Sequence, residues 1–166
     1  MIITKEIEID MGHRVMNHKS KCRSCHGHRY KIEVGVNDKL VTIIGSSDEG
    51  MVMDFGDLKQ IMMREIDAEY DHGFIISRDD KLLIEKFGVE LFNSWKVNHK
   101  WLNINDIETK LIVVDFIPTA ENLAKHWFII LKEQLEKINI RIHHVKIWET
   151  PTSTALYTID NFLEDI

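Results

Sequence analysis

Proline and cysteine are scarce: the 166-residue chain has two of each. With only Pro118 and Pro151 to punctuate it, and no repeat, low-complexity tract or Pro/Gly/Ser-rich linker, it reads as a single domain spanning residues 1–166. Two cysteines, Cys22 and Cys25, are too few for a disulfide scaffold and suit a reducing compartment. Long apolar runs are missing too. None approaches the roughly 18 residues that cross a bilayer. The start, Met1-Ile-Ile-Thr-Lys-Glu, lacks a signal-peptide layout, so the expected setting is cytoplasmic with no membrane partner. Nor is there an excess of base. With 21 Lys and Arg against 27 Asp and Glu, the net charge of −6 argues against nucleic acid, whose binding depends on clustered cations releasing counterions.

What is plentiful is histidine, with nine residues at positions 13, 18, 26, 28, 72, 99, 126, 143 and 144. Histidine is the commonest metal ligand and titrates near neutrality, so its placement directs the reading. Apolar residues alternate at Ile3, Ile7, Ile9 and Met11, and again from His28 through Tyr30, Ile32, Val34 and Val36, which predicts two half-buried strands. Asn37-Asp38 reads as a turn into a strand at Leu40–Ile44. Asp54 then caps a helix with Leu58, Ile61, Met62 and Ile66 on one face, ending near Asp71-His72-Gly73. Leu83, Phe87, Leu91 and Trp95 predict a second helix over Asp79–Trp95, followed by a strand at Leu111–Phe116. Pro118-Thr119 opens the strongest helix, with Leu123, Trp127, Ile130, Leu131, Leu135 and Ile138 on one side. Strands at Ile140–Trp148 and Ala155–Ile159 close the chain. Strands, then helices, then strands indicate an α+β fold with an antiparallel sheet.

His26-Gly27-His28 opens the second strand, where a period of two puts both imidazoles on one face, and His13 continues the inward face of the first. If the two strands are antiparallel neighbours, three imidazoles converge. Three histidines and an open position are the layout of a catalytic zinc. Gly12 and Gly27, each beside a ligand, would relieve crowding. An ordinary exposed His-x-His pair without metal, and a closed site drawing on Cys22 and Cys25, are the competing readings. Cys22 has a further role open to it, because Arg23 and a metal nearby would favour its thiolate as a base. Asp71 beside His72 suits a proton relay, though a histidine followed by Gly73 equally suits a helix terminus. Glu149 ends the alternation Val145, Ile147, Glu149, and an inward carboxylate at a strand end binds a cation or an N–H edge. The loop from Arg14 to Arg23, with His18, Lys19 and Lys21, is a local basic patch.

These pieces, in this order, resemble the 6-pyruvoyltetrahydropterin synthase and 6-carboxytetrahydropterin synthase family. The matching motifs are His13 after a short strand, Cys22-x-x-x-His26-Gly-His28, Gly50-Met-Val-Met-Asp54-Phe, Asp71-His72, Pro118-Thr-Ala-Glu-Asn-Leu-Ala124 and Trp148-Glu149-Thr150, covering about Ile9 to Tyr157. The resemblance implies a tunnelling fold with two long helices on one face of the sheet, three subunits closing a β-barrel, and two trimers forming a homohexamer. It implies zinc on His13, His26 and His28, Cys22 as general base, and Asp71 with His72 as a relay from a neighbouring subunit. Glu149 would anchor the pterin edge, Thr119 would line the pocket, and the substrate would be 7,8-dihydroneopterin triphosphate. The three-residue gap between Cys22 and His26 resembles the carboxy-forming branch of queuosine biosynthesis, which releases triphosphate and acetaldehyde. The pyruvoyl-forming branch and a non-catalytic zinc-stabilised binding module are the alternatives. The chain departs from the family pattern at Cys25, usually apolar, at Ile9 and Met11, usually Phe and Ala, and in a longer segment over 79–110. The basic loop is the candidate for meeting the triphosphate.

Overall fold

The computed structural model describes the backbone of residues 1–87, 98–104 and 107–166, with side chains for 1–87 and 109–166. Period-two alternation builds the centre of its sheet. β1 (Ile2–His13) buries Ile7, Ile9, Met11 and His13, and β2 (His26–Asn37) buries Tyr30, Ile32, Val34 and Val36. They pair antiparallel with Ile9 opposite Tyr30, Met11 opposite His28 and His13 opposite His26. The remaining strands are β3 (Gly73–Ser77), β4 (Asn98–Ile104), β5 (Ile107–Val114), β6 (Ile142–Thr150) and β7 (Ser153–Thr158). The seven-stranded order is β4-β5-β3-β1-β2-β6-β7.

The sheet is mixed, which corrects the expected antiparallel one: β3 runs parallel to β1, and β5 parallel to β3. Alternation reports which side chains face the core, not which way a neighbouring strand runs, and a crossover connection permits the parallel direction. The segment Leu40–Ile44 is a loop rather than a strand. Only Val41 makes ladder-like bonds there, to Gly50 and Met51, while Ile43 and Ile44 are 69% and 91% exposed. Strand-favouring residues with no face to bury gain nothing from pairing.

α1 (Phe55–Met62) continues through a π turn (Met63–Asp67) into α2 (Ala68–Tyr70), and Asp54 caps it by accepting from the Gly56 N–H at 2.6 Å. α4 (Ala120–Glu136) is capped by Thr119, whose hydroxyl accepts from Asn122 N–H. Leu58, Ile61, Met62 and Ile66 join Leu123, Trp127, Leu131 and Leu135 in one core with the inward residues of β1, β2 and β6, so both helical stretches cover the same face. α3 (Lys81–Phe87) lies on the reverse face. Its Leu83, Ile84 and Phe87 pack with Phe74, Ile76, Leu111 and Val113, whereas Ile75, the neighbour of Ile76, belongs to the main core. The rest of the expected helix, with Leu91 and Trp95, lies outside the described residues. A last short helix, α5 (Ile159–Glu164), is held by a capping box between Thr158 and Asn161. Among the described residues no helix is long and apolar enough to cross a membrane.

Burial separates residues of one apolar stripe. Leu131 is fully buried and Ile138 is 50% exposed. Leu131→Ala should lower unfolding free energy by about 2–5 kcal/mol and Ile138→Ala by about 0.5 kcal/mol or less, measured by urea denaturation.

Candidate metal centre and active site

β1 ends and β2 begins side by side, and the inward parity of both strands turns His13, His26 and His28 to one point. Their ring centroids are 4.4, 5.3 and 5.0 Å apart, and their ligating nitrogens all lie within 4.8 Å of one another. Two backbone carbonyls set the tautomers. His13 Nδ1–H donates to Pro118 O and His26 Nδ1–H to Ser24 O, both at 2.7 Å. Since a carbonyl only accepts, each ring keeps its proton on Nδ1 and presents a bare Nε2, and the two Nε2 atoms face each other at 3.1 Å. Lone pairs at that separation repel unless a cation or proton lies between them. Nitrogens bound about 2.0–2.1 Å from a tetrahedral zinc stand about 3.3 Å apart, so the donor set fits such an ion. Burial pushes His13 below the usual imidazole range despite the opposing Pro118 carbonyl, which favours the neutral, ligating form.

Neither cysteine belongs to this group, so the described residues build an open three-nitrogen set rather than a closed Cys2His2 site. Gly12 does relieve crowding, but the crowding comes from the Phe74 ring, 2.5 Å from where a Cβ would stand, rather than from the imidazoles.

Beside the histidines lies a cleft of about 320 Å³, lined among others by His13, His18, Cys22, Thr119 and Glu149. It brings together four of the expected site residues, His13, Cys22, Thr119 and Glu149, with His18 of the basic loop. Thr119 comes from the start of α4, Cys22 from the short 3₁₀ turn Lys21–Arg23, and Glu149 from a bulged end of β6. Glu149 Oε1 stands 3.7 Å from His13 Nε2 and accepts from the Tyr30 hydroxyl at 3.4 Å. Burial, reinforced by the charge of Glu149, raises the Tyr30 pKa, so the hydroxyl stays protonated and donates. Among the described residues no Lys or Arg pairs with Glu149, which leaves a partly buried carboxylate open to a ligand.

Asp71 and His72 lie elsewhere in the chain. His72 lines a second cleft, of about 420 Å³, with Asp10, Gly12, Gly27, His28 and Arg29. Asp71 accepts from Asp10 N–H at 2.8 Å and from His72 Nδ1–H at 2.6 Å. Burial alone would raise its pKa, but these donors outweigh it and hold the carboxyl below the usual range. His72 occupies the left-handed region at φ 56°, and its N–H donates to Asp10 O. The pair therefore both terminates the helix and forms a hydrogen-bonded dyad, but within one chain it does not reach the Cys22 cleft.

The other histidines have ordinary partners. Tyr70 O–H donates to His126 Nε2 at 2.6 Å, His144 pairs with Glu33 at 3.1 Å, and His143 contacts His144. His18, on the cleft wall, accepts from Ser20 N–H. The side chain of His99 lies outside the described residues. Sequence reasoning missed the Pro118 and Ser24 carbonyls, which carry no side-chain signal, and Tyr30, whose inward parity next to His28 was a usable one.

Comparison with known proteins gives consistent results. Residues 2–160 match the family model described as 6-pyruvoyl tetrahydropterin synthase. The chain is 33% identical to the 6-carboxy-5,6,7,8-tetrahydropterin synthase of Rickettsia felis, over 89% of this chain and 93% of that one. It is 30% identical to the protein of the same name from Haemophilus influenzae, over 93% and 96%. An uncharacterized protein from Wolinella succinogenes superimposes with a TM-score of 0.73 at 26% identity, covering 96% of this chain and 98% of that one. The 6-pyruvoyl tetrahydropterin synthase of Caenorhabditis elegans shares the fold, with a TM-score of 0.60 at 20% identity and 95% and 94% coverage.

Burial lowers the His126 pKa to about 4, below the usual value near 6.5. The unfolded chain then takes up this proton before the folded one does, so the group's contribution is complete above pH 6.5 and is lost as pH falls toward 4. Wild-type protein should lose about 1–3 kcal/mol more than His126→Gln between pH 6.5 and 4.5, as read from metal-free urea unfolding curves.

Proposed function

The chain belongs to the 6-pyruvoyl tetrahydropterin synthase family, and on that basis we propose that it is an enzyme making 6-carboxy-5,6,7,8-tetrahydropterin from 7,8-dihydroneopterin triphosphate. The observation that carries the reading is the convergence of three imidazoles, two with bare Nε2 atoms, of which His13 also lines a cleft with Cys22 and Glu149. His13, His26 and His28 hold zinc, which when bound supplies Lewis acidity to the substrate's side-chain oxygens.

The protein residues have separable tasks. Glu149, presented with one oxygen fixed by Tyr30, accepts from the N–H groups of the pterin edge, a charge-assisted bond that sets the ring's orientation. Thr119 borders the same pocket. Cys22 takes the proton from the activated side chain, and the Asp71–His72 dyad passes protons on. Because the dyad and the Cys22 cleft are apart within one chain, the site is completed between subunits of a homohexamer of two trimers. Lys19, Lys21 and Arg23 are exposed and have no carboxylate partner among the described residues, so they meet the triphosphate. Arg14 does not belong with them, because its guanidinium is held by Asp80 at 2.7 and 2.8 Å. The chain acts as one domain in the cytoplasm, and its product feeds a 7-deazapurine pathway such as that of queuosine.

Incubation with 7,8-dihydroneopterin triphosphate, with products identified by mass spectrometry, should yield 6-carboxytetrahydropterin, acetaldehyde and triphosphate. A pyruvoyl product would place the chain in the other branch instead. Cys22→Ala should abolish turnover while keeping one zinc per chain, whereas loss of zinc with the cysteine would indicate a scaffold module. Replacing Lys19, Lys21 and Arg23 together by Gln should raise KM by about tenfold or more with a smaller change in kcat, and an unchanged KM would remove the loop from substrate binding.

A further inference from the structure

The twelve residues between β1 and β2, 14–25, carry Cys22 past the histidines, and a surface loop of that length is mobile unless its backbone is tied down. Two consecutive residues tie it. Val15 N–H donates to Cys22 O at 2.9 Å, and Arg14 Nε–H donates to Arg23 O at 2.7 Å. The carbonyl of Cys22 and the next one are thus gripped by the two residues that follow the ligand His13.

Arg14 is itself immobilised. Its Nη1 donates to both oxygens of Asp80, and the two side chains are only 15% and 3% exposed. Asp80 in turn is locked at the start of α3, where its Oδ1 accepts from Leu83 N–H and its backbone carbonyl from Ile84 N–H. A carboxylate buried so completely needs its guanidinium, and a guanidinium supplies separate donors to carboxylate and carbonyl where an ammonium is a single point charge. The segment that begins at Asp79, whose presence the proposed chemistry leaves unused, holds this carboxylate on the reverse face of the sheet.

We propose that Arg14, fixed by Asp80, is a positioning residue that sets the placement of Cys22 against the histidine centre. The inference rests on the reading of Cys22 as the proton-transferring group. It makes the loop's position depend on α3, so that the helix on one face of the sheet governs geometry at the end of its central strands.

Arg14→Lys separates the two contacts, because an ammonium can keep the ion pair with Asp80 but cannot also reach Arg23 O in the same geometry. In this variant kcat should fall about 10- to 100-fold, the loss expected from a misplacement near 1 Å, while zinc content and melting temperature stay at wild-type values. Compared within a Cys25→Ser background, iodoacetamide should alkylate Cys22 several-fold faster when Arg14 is Lys, because the loop opens. Asp80→Asn keeps the shape of the carboxylate and should shift kcat and alkylation in the same direction by less. Wild-type kcat and alkylation in Arg14→Lys would overturn the proposal. So would parallel losses of kcat, zinc and melting temperature in both variants, which would make the pair structural only. If Cys22→Ala retains turnover, the catalytic reading of Cys22 fails and this inference with it, whereas retained loop rigidity in Arg14→Lys overturns the positioning role alone.

Discussion

Antiparallel pairing of β1 with β2, in the register that sets His13 opposite His26, is the constraint on which the whole site depends. A slip of one residue would turn one strand's histidines to the opposite face, because side chains alternate with a period of two. The register is held along twelve residue pairs by inward Ile7, Ile9, Met11, Tyr30, Ile32 and Val34, all buried under α1 and α4. The apolar core therefore specifies the relative placement of three polar rings at the sheet's end. Those rings need no change in backbone path to face a common point.

The same packing brings other elements to that point. α4 lies across the sheet with its start over His13, so the carbonyl before its N-cap fixes the His13 tautomer. The Thr119 cap, the end of β6 and the loop from β1 to β2 then form one cleft, although Thr119 lies 97 and Glu149 127 residues after Cys22 in sequence. Electrostatics within it are uneven in a useful way. His13 is kept neutral by burial, Tyr30 is kept protonated, and Glu149 faces the opening with no Lys or Arg partner among the described residues. An imidazole that ligates, a hydroxyl that donates and a carboxylate that accepts are the states that metal and heterocycle recognition require.

Much of this was legible in the chain. The two central strands, the helices over Leu58–Ile66 and Leu123–Leu135, and the grouping of His13, His26 and His28 follow from local periodicity, which is a one-dimensional signal. Strand direction was not, and neither was the fate of Leu40–Ile44, because both depend on which surface is available to pair with. Asp71 and His72 show the boundary well. Their adjacency could be read, and their hydrogen bond is present, but the grip of the Asp10 backbone on both residues comes from a strand sixty residues earlier.

Arg14 and Asp80 mark the other limit. By sequence Arg14 is one cation in a basic loop and Asp80 one acid in the first turn of the helix expected over Asp79–Trp95; only folding places them in contact and removes Arg14 from the loop's unpaired charges. The sequence by itself determined the shared face of His13, His26 and His28, the inward faces and the family resemblance, because side-chain type and spacing along a strand are local properties. The tertiary structure alone decided strand direction, the imidazole tautomers, the pinning of Cys22 and the separation of its cleft from the Asp71–His72 dyad. Those features depend on backbone carbonyls, buried ion pairs and crossovers between segments far apart in the chain, and such contacts leave no periodic trace in it.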